Sequence, residues 1–326
     1  MTARSLRRPP AKAWTLAIVA TLGIGAILAG AAMLAGADGL VPALLGVVGM
    51  VGLAPREAPM PAKAGMVALL AVSGGAAAAV GADAALLPLV VGATALATIP
   101  FTIRYGAVAL AVPVLPAVIG ALGGQGGPWS TALLAAFGAL GVAVVVRLIG
   151  LKAPATPVKV PVAWGHGIVL ALLAAVAVAV VLWQEWGHGY WMVIGLCVVL
   201  SPEHLKVRAE TGARVVGTAI GAVVAIGLAV VLPHWLVLVV AGVAMVAALA
   251  YAAIDRRVEL IALQTITVVS AGAAADPDTT WEIALARVVA IGAGAVVALI
   301  GAELVVAGLE RRVEESEQNG APASDG

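Results

Sequence analysis

Apolar runs about one helix long follow one another along this chain, separated by short breaks that hold charge, proline, glycine or tryptophan. Since about 20 residues cross a hydrocarbon layer, the pattern predicts spans at 14–36, 40–54, 63–82, 84–101, 105–122, 129–150, 164–184, 189–201, 213–232, 235–253, 259–275 and 281–306. Twelve transmembrane helices are therefore expected. Runs two and eight are short for a crossing, so each reads alternatively as a tilted or re-entrant segment, and ten crossings is the competing count. The start, MTARSLRRPPAKAWTLAIVATLGIGA, places a basic region before an apolar one as a secretory signal does. Its apolar stretch is too long for a signal core, and it is read as the first membrane helix.

Composition fixes the solvent. Of 326 residues 63% are hydrophobic and 11% charged, with mean hydropathy +1.11, more apolar side chain than a water-soluble globule can bury. Abundant Ala, Gly and Val favour closely packed helices over a barrel, whose strands would alternate polar and apolar positions. The fold class is an all-α polytopic membrane protein. The single cysteine, Cys197, lies in an apolar run and reads as an inert filler, which excludes a disulfide framework.

The charges segregate. Arg4, Arg7, Arg8, Lys12, Arg56, Lys63, Arg104, Arg147, Lys152, Lys159, Lys206, Arg208, Arg214, Arg256, Arg257, Arg311 and Arg312 all fall on one side of the predicted spans. The opposite loops hold Asp38, Asp83, Gln125, Glu185, His188, His234, Asp276 and Asp278 and no Lys or Arg. This positive-inside pattern predicts two cytoplasmic termini.

An internal repeat is also expected. Trp129 and Trp281 lie 152 residues apart, each opening the last span of a six-helix half, and the same shift pairs Arg104 with Arg256. The Pro- and Lys-rich stretch LIGLKAPATPVKVPVAW separates the halves. The predicted organisation is a segment 1–13, a first half 14–150, a linker 151–163, a second half 164–308 and a disordered tail 309–326. Six spans per half give parallel repeats related by an axis along the membrane normal.

Residues 190–225, YWMVIGLCVVLSPEHLKVRAETGARVVGTAIGAVVA, place Tyr190 and Trp191 before a short apolar run, then Ser201-Pro202, a basic stretch, and Arg214, Gly217, Thr218 and Gly221 in Arg-x-x-Gly-Thr-x-x-Gly. This stretch resembles the fusaric acid resistance (FUSC-like) and aromatic acid exporter group of bacterial membrane proteins. The resemblance implies a secondary, proton-motive exporter of small aromatic carboxylates in the bacterial plasma membrane. Larger members of that group carry cytosolic domains where this chain has only EESEQNGAPASDG.

The residues themselves nominate a pathway. Arg287 is the only basic residue placed well inside a span, roughly 9 Å below the surface marked by Trp281. Burial there costs a few kcal/mol on insertion scales, so Arg287 is expected to face the bundle interior and an anion, such as a substrate carboxylate, with snorkelling toward Glu282 or Asp278 as the alternative. Gln264, Thr265, Thr267 and Ser270 make span eleven the most polar, and Pro113 and Pro116 break span five, its counterpart under the 152-residue shift. The route is placed between those two spans. Ala213, Gly217, Gly221 and Ala225 recur every four residues as a helix-packing face, and Arg214, Asp255, Arg256 and Glu303 are candidates for a cytoplasmic gate or for coupling. For Arg214 the plainer reading is an interfacial anchor, and for Glu303 a surface carboxylate facing Arg311 or Arg147.

No metal spacing joins His166, His188, His204 and His234, which read as loop or interface residues, and no cofactor motif appears. Tryptophans near span ends read as interfacial anchors, which offers nothing to nucleic acid. The expected partners are the bilayer and a small organic anion, with homo-oligomerisation left open. An organic-anion exporter is the leading function, and a non-transporting membrane scaffold or subunit is the alternative. A membrane enzyme would need ionisable groups clustered at one depth, and none are seen.

Overall fold

In hydrocarbon a backbone amide can be satisfied only by the chain itself, and the described residues are accordingly almost all helical. The computed structural model describes residues 8–122, 126–200, 204–254, 256–275 and 280–303. Arg4, Arg7, Gln125, Ser201, Pro202, Asp255, Asp276, Asp278, Arg311, Arg312, the C-terminal tail and the side chains of His204, Lys206 and Arg208 lie outside what is described.

The first half comprises α1 (Ala11–Ala35), a 3-10 turn (Gly36–Gly39), α2 (Leu40–Val51), α3 (Met60–Val80), α4 (Leu86–Ala97), α5 (Ile99–Tyr105), α6 (Val114–Ala121) and α7 (Pro128–Leu148). The second comprises α8 (Val160–Trp183), α9 (Tyr190–Val199), α10 (His204–Val231), α11 (His234–Ala252), α12 (Arg257–Ala275) and α13 (Thr280–Gly301). Proline occupies the first turn of α3, α5, α7 and α8, where its missing N–H has no partner to lose. Gly81 and Gly106 end α3 and α5 at φ 58° and 83°, which a residue with a Cβ adopts only under strain.

Among the described residues eight segments are long and apolar enough to cross a membrane: Ala11–Val51, Met60–Val80, Leu86–Tyr105, Pro128–Leu148, Val160–Trp183, Thr211–Val231, His234–Ala252 and Thr280–Gly301. The expected spans two and eight are the short helices α2 and α9, about 18 and 15 Å long, half a hydrocarbon thickness. Expected span five is no continuous helix. From Gly106 to Pro113 the chain runs through turns, and only Val114–Ala121 is helical. Pro113 and Pro116 cannot donate to a helical ladder, so the break is local chemistry. It is tolerated at this depth because 112–120 is buried in protein and the turns bond internally, Val112 to Ala109 and Leu115 to Val112.

Glycine sets the closest helix contacts. In the first half a Cβ on Gly46 of α2 would strike the carbonyl of Ala135 on α7, and one on Gly138 of α7 would strike that of Ala43 on α2. In the second half Gly195 of α9 meets the Ile291 carbonyl on α13, and Gly294 of α13 meets that of Met192 on α9. Each crossing thus seats backbone on backbone, as lipid-embedded helices do when dispersion replaces the hydrophobic drive. The halves also exchange partners: α4 packs on α8, and α11 packs on α1.

The basic breaks of the first half gather at one end. Arg56 donates to the Pro154 carbonyl and pairs with Ala153 through an isolated parallel bridge, Val158 N–H bonds Ile103, and Thr156 fills the space beside Gly106. Linker 151–159 is thereby tied to the α2–α3 turn and to the end of α5. Leu22, Met33, Val72, Leu133, Leu148 and Trp183 remain exposed, the surface of a chain whose outer solvent is acyl chain.

At the opposite end Asp83 Oδ1 accepts N–H bonds from Ala85 at 2.9 Å and Leu86 at 2.8 Å, which start α4 and hold the carboxyl below its ordinary pKa. Its stabilisation is present above the unfolded value near 4 and fades as pH falls through the lower folded value. The melting temperatures of wild type and Asp83→Ala should therefore differ at pH 7 and converge at acidic pH, and a gap that widens on acidification would contradict the cap. Gly138→Leu should lower thermal stability in detergent by the equivalent of about 1–3 kcal/mol through overpacking, whereas Gly242→Ala, inside α11 with nothing within 4 Å of the added carbon, should keep or slightly raise it.

Candidate anion site

The inner stripe of α13 runs through Ala284, Arg287, Ile291, Gly294 and Ala298, all buried, at the three- and four-residue spacing of one helical face. Small residues on this stripe let α9 approach closely, and that approach sets Trp191 over the Arg287 guanidinium, 4.2 Å from its carbon to the ring centroid. Tyr190 tilts against Trp191 with centroids 5.1 Å apart. Arg287 is 6% exposed, and its Nε and Nη1 have no hydrogen-bond partner, nor does the Trp191 Nε1.

The neighbouring helices bring hydroxyls. On α10, Thr218 shares a face with Ala222 and Ala225, which pack with Val269 of α12 and Ala284 of α13. Thr265 of α12 lies against Gly221. In the first half three threonines bond back to their own helix, Thr94 to Val90 at 2.7 Å, Thr98 to Ala95 at 2.6 Å and Thr102 to Thr98 at 3.3 Å, while the hydroxyls of Thr21 and Thr131 are buried without a partner. The hydroxyls of Thr218, Thr265 and Ser270 are buried and have no hydrogen-bond partner among the described residues. Buried polar groups left without partners are costly, and an anion or water is what relieves them.

Among the described residues, Arg214, half-buried on α10, and Tyr190 bear on Arg287 electrostatically. Glu282 is exposed, so the guanidinium turns inward and not toward that surface carboxylate. A second cation and an aromatic hydroxyl near a guanidinium with unmet donors form an environment complementary to a carboxylate.

The other expected residues are distributed as follows. Thr267 bonds the carbonyls of Leu263 at 3.0 Å and Ala241 at 3.3 Å, which ties α12 to α11. Gln264 is half-buried. Ala213, Gly217, Gly221 and Ala225 are all buried, with Gly217 against Val258 and Ile261 and Gly221 against Ala262 and Thr265, so this face seats α12. Pro113 and Pro116 are buried in the first half, where α6 packs on α2, α3, α4 and α9, while α12 packs on α10, α11 and α13. The structure therefore does not bring the two proline positions to the span-eleven hydroxyls. Asp255 lies outside the described residues. Arg256 forms an ion pair with Glu259 at the start of α12, which holds the guanidinium more firmly protonated, and Glu303 is half-buried beyond the end of α13. His166 is not a loop residue: it is buried in α8, with Nε2 3.2 Å from the Leu200 carbonyl at the end of α9. Cys197 is fully buried.

Trp191 read from sequence as an interfacial anchor, and Tyr190 and Thr218 as parts of a motif without roles of their own. The signal available was the pairing of an intramembrane arginine with an aromatic opening a short helix.

These features define a multi-pass helical membrane protein with a buried, cation-centred polar site in its second half. Residues 163–301 match the family model described as fusaric acid resistance protein-like, a stretch that takes in α8 to α13 and every side chain of that site. No curated protein and no solved structure matches the chain closely enough to add to this.

Replacing Trp191 by Ala removes the ring that covers the guanidinium and should lower thermal stability in detergent by about 1–2 kcal/mol, with Trp191→Phe retaining part of it. Equal melting curves for all three proteins would show that the ring contributes nothing to holding Arg287.

Proposed function

We propose that the protein is a secondary transporter that exports small organic anions, aromatic carboxylates among them, and that Arg287 supplies the counter-charge. The observation that carries this reading is a buried guanidinium with two nitrogens unpartnered among the described residues, on a helix that packs with α10 and α12, where the Thr218, Thr265 and Ser270 hydroxyls are buried without partners too. A guanidinium so placed asks for an anion, and a carboxylate matches its planar fork with two hydrogen bonds. The aromatic face of Trp191 adds a surface on which a ring can stack. Fusaric acid, the compound in the matched family's description, is itself a small aromatic carboxylate.

The proposed architecture is two like-oriented halves of six chain segments. In its support, the order long helix, short helix, long helix recurs in α1–α3 and α8–α10, and the reciprocal glycine crossing of α2 with α7 recurs between α9 and α13. The exchange of α4 onto α8 and α11 onto α1 also accords with a pseudo-twofold axis along the membrane normal. The site sits within the second half, among α9, α10, α12 and α13. Coupling to the proton-motive force, with Arg214, Arg256 and Glu303 at the inner mouth, and both termini in the cytoplasm of a bacterial plasma membrane complete the reading.

The test is tolerance. Deletion and overexpression strains are challenged with a panel of aromatic carboxylates, with Arg287→Ala and Arg287→Lys expressed at matched membrane levels. Overexpression should raise tolerance, Arg287→Ala should abolish the gain, and Arg287→Lys should restore part of it because the charge is kept and the fork lost. Identical tolerance in every strain would overturn the export reading in favour of a scaffold.

A further inference from the structure

A second cationic site lies in the first half, at the end of the bundle where the basic breaks gather. A cavity of about 390 Å³ opens between the end of α2, the α2–α3 turn, the last turns of α7 and the start of the linker. Its charged lining among the described residues is Arg56, Lys63, Arg147 and Lys152, with Glu57 as the one carboxylate. Arg56 and Lys63 are held in place: Arg56 donates to the Pro154 carbonyl, and Lys63 Nζ donates to the Ala54 carbonyl at 2.9 Å. Arg56 Nε is buried without a partner. Arg147 and Lys152 are exposed at the rim. The N-terminus of α3 opens at the same edge, and its dipole adds to the positive potential.

The rest of the lining is apolar, and it determines the occupant. Met50 and Val146 form a buried floor, while Leu140 and Val144 are 53% and 55% exposed on the flank of α7. That exposed row continues along α7 through Leu133, so the cavity is open sideways to the acyl-chain environment as well as at its cationic rim. A soluble anion would use the cations and leave the apolar wall idle. A molecule with an anionic head and hydrocarbon tails uses both.

We propose that this cavity binds the headgroup of an anionic phospholipid from the leaflet that meets the basic end of the bundle, with its acyl chains lying along α7. The phosphate sits among Arg56, Lys63, Arg147 and Lys152, in excess over Glu57 by four charges to one. Because Arg56 also ties the linker to the α2–α3 turn, a bound lipid braces the segment that joins the two halves. The site is separate from Arg287 and does not depend on what the protein transports.

The full-length protein is purified in mild detergent and equilibrated with equimolar phosphatidylglycerol and phosphatidylcholine, and the lipids it retains are measured by native mass spectrometry. Phosphatidylglycerol should be retained over phosphatidylcholine by about tenfold, given the potential of a cluster of basic residues at the membrane surface. Arg147→Gln with Lys152→Gln should bring the ratio close to one, since both are exposed at the rim and neither holds the linker. Circular dichroism confirms that the variant is folded, and in vesicles of phosphatidylcholine with added phosphatidylglycerol its melting temperature should lose the rise seen for wild type. Millimolar inorganic phosphate should not displace the lipid. Equal retention of the two lipids by wild type, an unchanged preference in the folded variant, or displacement by inorganic phosphate would each overturn the proposal, the last by marking the cavity as a soluble-anion site.

Discussion

A guanidinium buried inside a helical bundle, with no carboxylate against it among the described residues, organises the second half of this protein. Arg287 is fixed by helix geometry on the buried stripe of α13 and is covered on one side by Trp191. An isolated charge in hydrocarbon is expensive, and the ring quadrupole offsets only part of that. The unpartnered Nε and Nη1 and the orphaned hydroxyls of Thr218, Thr265 and Ser270 are the remainder. They explain why a helix otherwise built for packing carries an arginine that stability alone would remove: a buried charge is weak evidence for stability and better evidence for a partner that comes and goes.

The packing that creates this environment is governed by backbone proximity. Without a hydrophobic drive between helices, contact area must come from close approach, and glycine at crossing points permits it. Gly195 and Gly294 draw α9 onto α13, and the same approach that gains dispersion places Trp191 on Arg287. Adding a side chain at either glycine would separate the helices and uncover the guanidinium, so packing and site chemistry are coupled through two positions that carry no functional group.

Much of the fold was legible because its signals are local. Apolar runs mark the helices, Pro113 and Pro116 mark the break in the fifth segment, and the four-residue recurrence from Ala213 to Ala225 marks the face that seats α12. The lengths of α2 and α9 were visible as short runs. The site was only half legible. Arg287 stands out as the basic residue deep in a span, but its neighbours are set by a crossing between distant elements, and nothing near Trp191 in sequence distinguishes a ring over a cation from an interfacial anchor. The fifth and eleventh segments are related by a fixed shift along the chain, whereas in the structure α6 and α12 are packed by different neighbours. The shift itself is not uniform, since Gly46 and Gly195 lie 149 residues apart while Gly138 and Gly294 lie 156 apart.

That difference in register bears on where chemistry can sit. Arg287 lies seven residues before the crossing glycine Gly294, and seven residues before Gly138 stands Thr131, which is buried with its own hydroxyl unpartnered. Pro42 precedes Ala43 in α2 where Trp191 precedes Met192 in α9, the residues whose carbonyls meet the crossing glycines. The first half therefore offers a neutral hydroxyl and a ring without π electrons where the second offers a cation and an indole. Two crossings of like geometry can carry the same packing and different chemistry, because backbone contact fixes how the helices meet and leaves the residue one or two turns away unconstrained. The strongest charge–aromatic chemistry of this protein is accordingly confined to one half, while the other half's cations are at the bundle's edge, around Arg56 and Lys63, and face the linker and the lipid.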